Sequence, residues 1–561
     1  MPLKPAAEGM SIKAEATLVA ALCLLGLILR VWRIDAIPPG LWMDEAINGL
    51  DALKLLDGGG WPIFFQHEEY PREPLFVYLI VPFVKLLGAQ PYAIRLASAV
   101  AGTLTLPIAY LFFRECFGQR TALAALACLV FLRWHVHFSR TGFRTILAPP
   151  FMLLTFYFLH RGWRQEQLKY WALAGAAFAG GFYTYLAFRL VPLVLLVWLA
   201  YLLFIKGESF RPKARGLALM CGVWLLILAP LLVHYYNNKV HFYGRTDQIS
   251  LFKDGAREGV RQVAANARDV ALMFSFRGDH VGKHNVPERK WIDEREQLQS
   301  RPPMPVFDPL SSIFFYLGLA VALNRARRSA TWLLAIAWFL IMSFNSILSF
   351  GAPNILRTLA MTPIVALLMG EGLLIVGDLA GRNRLCGKAA WGVVAACFLW
   401  FAGWQTWSYF QIFPRAALVW GQFNTGFCEM ANFALDRAPD SDVYLPGDRW
   451  SHASAKYLTH GASGIYELTL PEAVSRSTEA QRPVGEDEQP RKRIILFTQW
   501  TGIGPELMQL YPMGAVVHEF RDPYGQRWAW AFSIPPQALK SKEEIERHFA
   551  GKIGISVFPE R

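Results

Sequence analysis

The sequence lacks the charged residues that a soluble chain of its length would carry. Of its 561 residues, 54% are hydrophobic and only 18% are charged. A soluble chain of this size would divide into several domains with a larger charged fraction. The apolar residues form long runs instead of the amphipathic stripes of soluble helices. The bilayer is therefore the predicted solvent.

Cysteine is also scarce, and its spacing argues against the usual cysteine-based sites. None of the seven cysteines forms a Cys-x-x-Cys pair. Cys428 stands alone in residues 409–561, so a disulfide within that region is excluded and a zinc knuckle is not expected. Isolated cysteines in apolar runs usually pack as small apolar side chains.

A cleavage site and a continuous basic patch are absent as well. The first apolar run, Ala14–Trp32, is too long for the apolar part of a signal peptide and has no small-residue cleavage site, so it is predicted to be retained. The net charge is +13, but the basic residues are spread over short loops between apolar runs. That distribution argues against nucleic-acid binding and indicates membrane orientation. No internal repeat is detectable, which disfavours transporters built from duplicated halves.

Eleven apolar runs are predicted to span the membrane. They are Ala14–Trp32, Tyr92–Phe113, Thr121–Phe138, Thr145–His160, Tyr170–Tyr185, Leu190–Ile205, Gly216–Tyr235, Leu310–Leu323, Ala330–Leu348, Leu356–Asp378 and Ala389–Ser408. The shorter run Pro74–Gly88 is predicted to lie in the interface. Five basic loops then share the side of the N-terminus, as the positive-inside rule requires. The N-terminus is therefore predicted to be cytoplasmic.

The predicted fold class is a mainly α, polytopic membrane protein. Residues 1–408 are expected to form a bundle of about eleven transmembrane helices, with juxtamembrane helices in the outer loop 33–91 and a second long outer loop at 236–309. Residues 409–561 are expected to form a small extracytoplasmic α/β domain. Its predicted strands are Asp442–Leu445, Arg493–Phe497, Ala515–Phe520 and Trp528–Ile534, and its predicted helices are Ala453–His460 and Lys542–Ala550.

Two acidic motifs lie in the first outer loop. Asp44 and Glu45 follow Pro38-Pro39-Gly40 and open a helical pattern that ends near Gly58. They either favour the positive helix N-terminus, with Asp44 as its cap, or supply a general base; we favour the second interpretation. Glu73 follows Arg72 just before the interfacial run. It either caps that helix or faces the same pocket as Asp44, and both interpretations stay open.

Three predicted outer turns carry arginines against the positive-inside trend. Any one of them could reach lipid headgroups, but several together suit a phosphate, because guanidinium offers a planar fork of donors. The candidate ligands in these turns and beside Glu73 are Arg72, Arg140, Arg144, Tyr183, Tyr185, Arg189, Asn354 and Arg357. His135 and His137, two positions apart, do not share a helical face, so a metal site is not expected there.

On these motifs the sequence resembles the GT-C-type glycosyltransferases that use polyprenyl-phosphate-linked sugars, including the protein O-mannosyltransferases and the lipid A aminoarabinose transferases. The resemblance covers roughly residues 10–410, and its strongest mark is Asp44-Glu45. Arg72-Glu73-Pro74-Leu75 occupies the position of a second acidic motif. The resemblance implies that Asp44 is the catalytic base, that outer arginines bind the lipid phosphate, and that a divalent cation is at most accessory.

The expected function is therefore inverting sugar transfer at the outer face of the plasma (inner) membrane. The partners would be a polyprenyl-phosphate-linked sugar donor and a glycan, lipid or protein acceptor. Asp44 and the guanidiniums are expected to share a cavity open to the outer leaflet, with Glu45 beside the base and Glu73 orienting the acceptor or the sugar. Inversion needs no covalent intermediate. The alternatives are a lipid or solute transporter, whose acids and arginines line a permeation path, and a non-catalytic scaffold.

Overall fold

The computed structural model describes residues 10–66, 71–249, 251–252, 255–287, 289–292, 298–380, 387–446, 452–468, 491–499 and 504–540, together with 544 and 547–548. The helices of the first two-thirds of the chain are α1 Ile12–Val31, α2 Met43–Leu56, α3 Leu75–Leu87, α4 Pro91–Phe117, α5 Gln119–Phe131, α6 Arg133–Phe138, α7 Ala148–Gln165, α8 Leu168–Phe182, α9 Val191–Ala200, α10 Ala214–Asn237, α11 Lys239–Ile249, α12 Ala256–Leu272, α13 Pro309–Ala326, α14 Ala330–Ile347 and α15 Thr362–Ala380. They are followed by α16 Gly387–Trp407, α17 Ala417–Gln422, α18 Thr425–Arg437, α19 His452–Leu458 and α20 Gly504–Leu510.

Eight helical segments among the described residues are long and apolar enough to cross a membrane. They are Ile12–Val31, Pro91–Phe117, Leu186–Ile205, Ala214–Asn237, Pro309–Ala326, Ala330–Ile347, Leu359–Ala380 and Lys388–Arg415. The predicted polytopic α-helical class is thereby confirmed. The other three predicted spans fall on α5–α6, α7 and α8, and the total of eleven stays a prediction.

The predicted span Thr121–Phe138 is wrong as a single helix. Helix α5 ends at Phe131, and Leu132, with φ −57° and ψ 104°, turns the chain before α6 begins. The amide of Arg133, freed by this break, donates to Gln405 Oε1 at 2.9 Å. A contact from a distant helix thus supplies the hydrogen bond that a continuous helix would have made.

Helices α13 and α15 approach so closely that side chains are excluded at the contact. A Cβ added to Gly318 would lie 1.8 Å from the carbonyl oxygen of Leu368, and one added to Gly372 would lie 1.8 Å from that of Phe314. Small residues commonly allow such backbone approach between membrane helices. In the most apolar 18-residue stretch of the segment Leu359–Ala380, 83% of the residues are buried. Helix α15 is therefore a central helix of the bundle.

The loop 33–91, which is predicted to be an outer loop, contains the two helices that the sequence predicts. Helix α2 ends before Gly58, whose φ of +90° suits glycine and stops the helix. Helix α3 has 13 residues and is therefore about 20 Å long. The hydrocarbon core is about 30 Å thick, so the length of α3 agrees with an interfacial position.

The chain forms two compact units. The larger comprises residues 1–37, 55–83 and 94–416, and the smaller comprises residues 38–54, 84–93 and 417–561. Residues 38–54 and 84–93 therefore group with the C-terminal region, whereas the sequence predicts a single boundary near residue 408. The larger unit also contains a hairpin of β1 Arg289–Ile292 and β2 Leu298–Arg301.

The smaller unit contains a five-stranded mixed sheet in the order β4-β3-β5-β7-β6. The strands are β3 Ser441–Pro446, β4 Ile465–Leu468, β5 Lys492–Thr498, β6 Ala515–Arg521 and β7 Arg527–Ile534. Strand β3 pairs in parallel with β4 and β5, whereas β7 pairs antiparallel with β5 and β6. All four predicted strands are confirmed, and β4 was not predicted. Most of the predicted helix Lys542–Ala550 lies outside the described residues.

Candidate active site

The two adjacent acids of α2 have different surroundings. Glu45 is fully buried, and its Oε2 accepts the backbone N–H of Trp42 at 3.1 Å. A glutamate in the first helical turn that bonds back to the residue before the helix is one half of a capping box. Asp44 is half-buried and makes no hydrogen bond or ion pair with any described residue. Glu45, not Asp44, therefore stabilises the helix start, and the Asp44 carboxylate is left available.

Glu73, the acid of the second motif, forms an ion pair in the larger unit. Its Oε2 lies 3.2 Å from Nε of Arg144, and only 5% of the Glu73 side chain is exposed. The Arg144 guanidinium also lies over the ring of Tyr185, 5.5 Å from its centroid. Glu73 thus orients Arg144, since a buried carboxylate requires a cation or hydrogen-bond donors beside it.

Arg189 lies in the same neighbourhood. Its guanidinium donates to the carbonyl of Phe242 at 2.8 Å and to the hydroxyl of Tyr235 at 3.2 Å, and it stacks on both rings. Tyr235 also interacts electrostatically with Glu73 and Arg144. Both hydrogen bonds of Arg189 go to neutral oxygens. The cluster of Arg144, Arg189 and Glu73 therefore carries a net positive charge. An anion is the ligand that such a cluster favours.

Arg72 and Tyr183 hold the segment around Glu73 in place through main-chain hydrogen bonds. Arg72 is buried, and its N–H and C=O pair with those of Phe65 at 3.0 and 2.9 Å. The Tyr183 carbonyl accepts the amide of Leu75 at 3.3 Å, and the Tyr183 hydroxyl donates to the carbonyl of Ile227 at 2.8 Å. These contacts fix the segment on either side of Glu73.

Arg140 is hydrogen-bonded to the backbone of the last turn of α1 and of the turns that follow it. It is fully buried, and its terminal nitrogens donate to the carbonyls of Leu29, Arg33 and Ile37 at 2.9–3.2 Å. Its guanidinium also lies over the ring of Phe410, 5.0 Å from the centroid. Leu29 belongs to the last turn of α1, and Arg33 and Ile37 belong to the turns that follow it, so Arg140 stabilises the chain where this helix ends.

Asn354 and Arg357 belong to a different group of contacts. Asn354 Oδ1 accepts the Arg357 amide at 3.1 Å, and the Arg357 guanidinium donates to the carbonyl of Phe350 at 2.6 Å. The buried carboxylate of Asp279 accepts the amide of Ile355 and Nδ1 of His284, both at 3.0 Å. The turn before α15 is thus tied to the loop between α12 and β1.

His284 is electrically neutral in this setting. Burial lowers the pKa of its imidazole below the usual range, and the nearby positive charges of Lys283 and Arg357 act in the same direction. The Asp279 carboxylate opposes this effect. Because burial is the largest influence, the contact with Asp279 is a hydrogen bond from a neutral ring.

Of the predicted residues, the structure brings together Glu73, Arg144, Tyr185 and Arg189. The structure adds Tyr235 to this cluster, and it adds Asp279 to the separate group around Asn354 and Arg357; the sequence reveals neither. Tyr235 ends an apolar run, where an aromatic residue is usually interpreted as a membrane-interface anchor. Asp279 lies in a loop without a recognisable motif. Within the described ranges, groups of three or more His, Cys, Asp or Glu side chains that could hold a metal ion are absent.

The fold defines the class of this chain: it is a multi-pass membrane protein with the GT-C fold. ArnT from Cupriavidus metallidurans bound to undecaprenyl phosphate superimposes with a TM-score of 0.56 over 93% of this chain and 98% of ArnT, at 14% sequence identity. The Archaeoglobus fulgidus oligosaccharyltransferase in its apo form superimposes with a TM-score of 0.50 over 87% of this chain and 70% of that protein, at 12% identity. The predicted GT-C fold is confirmed.

Parts of the sequence are also similar to particular glycosyltransferases. Residues 70–234 match the family model of the dolichyl-phosphate-mannose-protein mannosyltransferases. The undecaprenyl phosphate-alpha-4-amino-4-deoxy-L-arabinose arabinosyl transferase of Pseudomonas paraeruginosa is 29% identical over 210 residues. That stretch covers 35% of this chain and only 37% of the relative. The corresponding transferase of Pseudomonas aeruginosa is 28% identical over 175 residues, covering 29% of this chain and 31% of that relative.

Proposed function

We propose that this chain is a membrane glycosyltransferase that moves a sugar from a polyprenyl-phosphate-linked donor to an acceptor hydroxyl. The proposal rests on Asp44: its carboxylate is half-buried and has no hydrogen-bond or ion-pair partner among the described residues. The names of the curated relatives and the undecaprenyl phosphate bound to the similar ArnT support the donor class.

In the proposed reaction, Asp44 accepts the proton of the acceptor hydroxyl. The acceptor oxygen attacks the anomeric carbon, and the bond from that carbon to the phosphate oxygen breaks with inversion. Polyprenyl phosphate leaves with the negative charge, which Arg144 and Arg189 stabilise. Glu73 fixes Arg144, Glu45 fixes the start of α2, and Arg357 is a further candidate for the phosphate. Arg140 is left out of this set because backbone carbonyls occupy its terminal nitrogens.

The proposed location is the inner membrane, with a cytoplasmic N-terminus and residues 409–561 outside the cytoplasm. The basic loops on the N-terminal side support this orientation. Cleavage of the C-terminal region by protease added outside spheroplasts is the expected result, and protection until lysis would reverse the orientation.

An accessory cation stays a prediction: the described residues offer no cluster of metal-binding side chains, and no step is assigned to a cation.

The test is transfer by the purified protein in liposomes. The two donors are undecaprenyl-phosphate-linked 4-amino-4-deoxy-L-arabinose and dolichyl-phosphate mannose, with an extract of envelope lipids, glycans and proteins as acceptor. Release of polyprenyl phosphate and a glycosylated product are measured by mass spectrometry. Asp44→Asn should lower the rate by about 10²–10⁴-fold, the usual contribution of a general base, with normal membrane insertion. Asp57→Asn, the same change at an exposed position just after α2, is the matched control.

Two results would contradict the proposal. Near-normal turnover by Asp44→Asn would remove Asp44 from the reaction. Flux of the lipid or sugar across the bilayer without a glycosylated product would instead support a transporter.

A further inference from the structure

The segment just before Asp44 is hydrogen-bonded to residues of the C-terminal region, as much as 413 positions later in the chain. The amide of Leu41 donates to the carbonyl of Phe423 at 2.7 Å, and the carbonyl of Leu41 accepts the hydroxyl of Ser454 at 2.8 Å. Asn424 Nδ2 donates to the same hydroxyl at 3.1 Å. Leu41 and Ser454 are fully buried, so both backbone groups of Leu41 depend on partners from the C-terminal region.

Gly40 shows how close this contact is. Its φ of +61° is in the left-handed region that favours glycine. A Cβ at this position would lie 2.3 Å from the carbonyl oxygen of Phe423 and 2.6 Å from Cα of Thr425. The backbone of residue 40 therefore lies directly against the turn before α18, and no side chain fits between them.

A second contact joins α19 to the same part of the outer loop. The hydroxyl of Tyr457 donates to the carbonyl of Gln90 at 3.3 Å. Burial raises the pKa of Tyr457, and the negative charge of Glu45 acts in the same direction. The hydroxyl therefore stays protonated and can donate. Because Glu45 also accepts the Trp42 amide, the start of α2 is held at several consecutive residues.

We propose that Ser454 is a positioning residue for Asp44, and that residues 417–437 and 452–458 serve to fix the approach to α2. This inference rests on the proposed function, in which Asp44 is the base. It assigns a catalytic contribution to the C-terminal region, whose role the sequence does not decide. Asp44 is only three residues after Leu41, so a change in the position of Leu41 is transmitted to the carboxylate through the first helical turn.

The expected consequence is a loss of turnover without a loss of donor binding. Displacement of a catalytic group by about 1 Å can lower a rate by about 10²-fold. Ser454→Ala should lower kcat by about 10- to 100-fold, because the buried carbonyl of Leu41 loses its donor. The KM for the lipid donor should change less than about twofold, since the proposed phosphate ligands Arg144 and Arg189 are not altered.

Three further variants separate positioning from packing. Ser454→Thr keeps the hydroxyl and should recover most of kcat. Gly40→Ala leaves Ser454 intact but pushes residue 40 away from Phe423, and it should lower kcat at least as much as Ser454→Ala. Ser533→Ala, the same deletion at a half-buried position on β7, is the control and should behave as wild type.

Hydrogen–deuterium exchange over residues 38–46 gives a readout that needs no activity. In Ser454→Ala the amide of Leu41 should exchange faster than in wild type, and Ser454→Thr should restore its protection. If wild type transfers no sugar from either donor, the proposed function fails, but the exchange result still tests the positioning. Unchanged exchange and kcat in Ser454→Ala, or an equal loss in the Ala and Thr variants, would overturn the inference.

Discussion

The ion pair between Glu73 and Arg144 should be strongly coupled in stability. The two charged atoms are 3.2 Å apart, and the side chains are only 5% and 23% exposed. At an effective dielectric constant of 20, charges at this separation attract by roughly 5 kcal/mol, from which desolvation must be subtracted. Glu73→Gln and Arg144→Gln should each lower the free energy of unfolding by about 3 kcal/mol, because each leaves its partner uncompensated.

The double variant should lose less than the sum of the two single variants. We expect a coupling energy of about 2 kcal/mol from the four-protein cycle, measured by denaturant titration in mild detergent. The pair Glu258 and Arg261, with side chains 53% and 83% exposed, is the control. Its coupling should be too small to measure. A coupling below about 0.5 kcal/mol for Glu73 and Arg144 would refute the view that burial makes this pair strong.

Two further predictions concern packing and pH. Gly372→Ala should lower the free energy of unfolding by about 1–3 kcal/mol, because the new methyl group would overlap the carbonyl of Phe314. The control is Gly392→Ala on α16, where a methyl group meets nothing within 4 Å; equal stability of the two variants would refute the prediction. Because the folded pKa of His284 is lowered, unfolding takes up a proton below its ordinary pKa of about 6.5. The stability that depends on a neutral His284 should therefore be present above pH 6.5 and decline at lower pH. Limited proteolysis of residues 273–307 at pH 5 and 7.5 measures this, and His284→Gln should weaken the difference.

Local patterns predicted most of the secondary structure, and long-range contacts explain the failures. The run Thr121–Phe138 contains neither proline nor glycine, so nothing in it signals the break at Leu132. The partner that stabilises the break, Gln405, is 272 residues away from Arg133. Strand β4 was missed because it has only four residues and is defined by its pairing with β3.

At the candidate site, too, the sequence identifies the residue types, whereas their roles depend on long-range contacts. The motif at Asp44 and Glu45 indicates an acidic pair, but which acid is structural depends on the Trp42 amide and on burial. Arg140, Arg144 and Arg189 look alike as outer-turn arginines. Their contacts separate them: Arg140 meets carbonyls, Arg144 meets a carboxylate, and Arg189 meets neutral oxygens. Their roles as phosphate ligands stay predictions that the variants above can test.

Arg133 has a consequence for biosynthesis. This buried cation precedes its partners Pro305 and Ser408 by 172 and 275 residues. During synthesis, Arg133 is made long before Ser408. Burial of its charge inside the bundle therefore cannot be completed until the apolar segment Lys388–Arg415 has been made. Chains truncated before α16 would keep that charge without Ser408 and the Arg133 amide without Gln405, so they should be recognised as incomplete and degraded faster than the full-length protein.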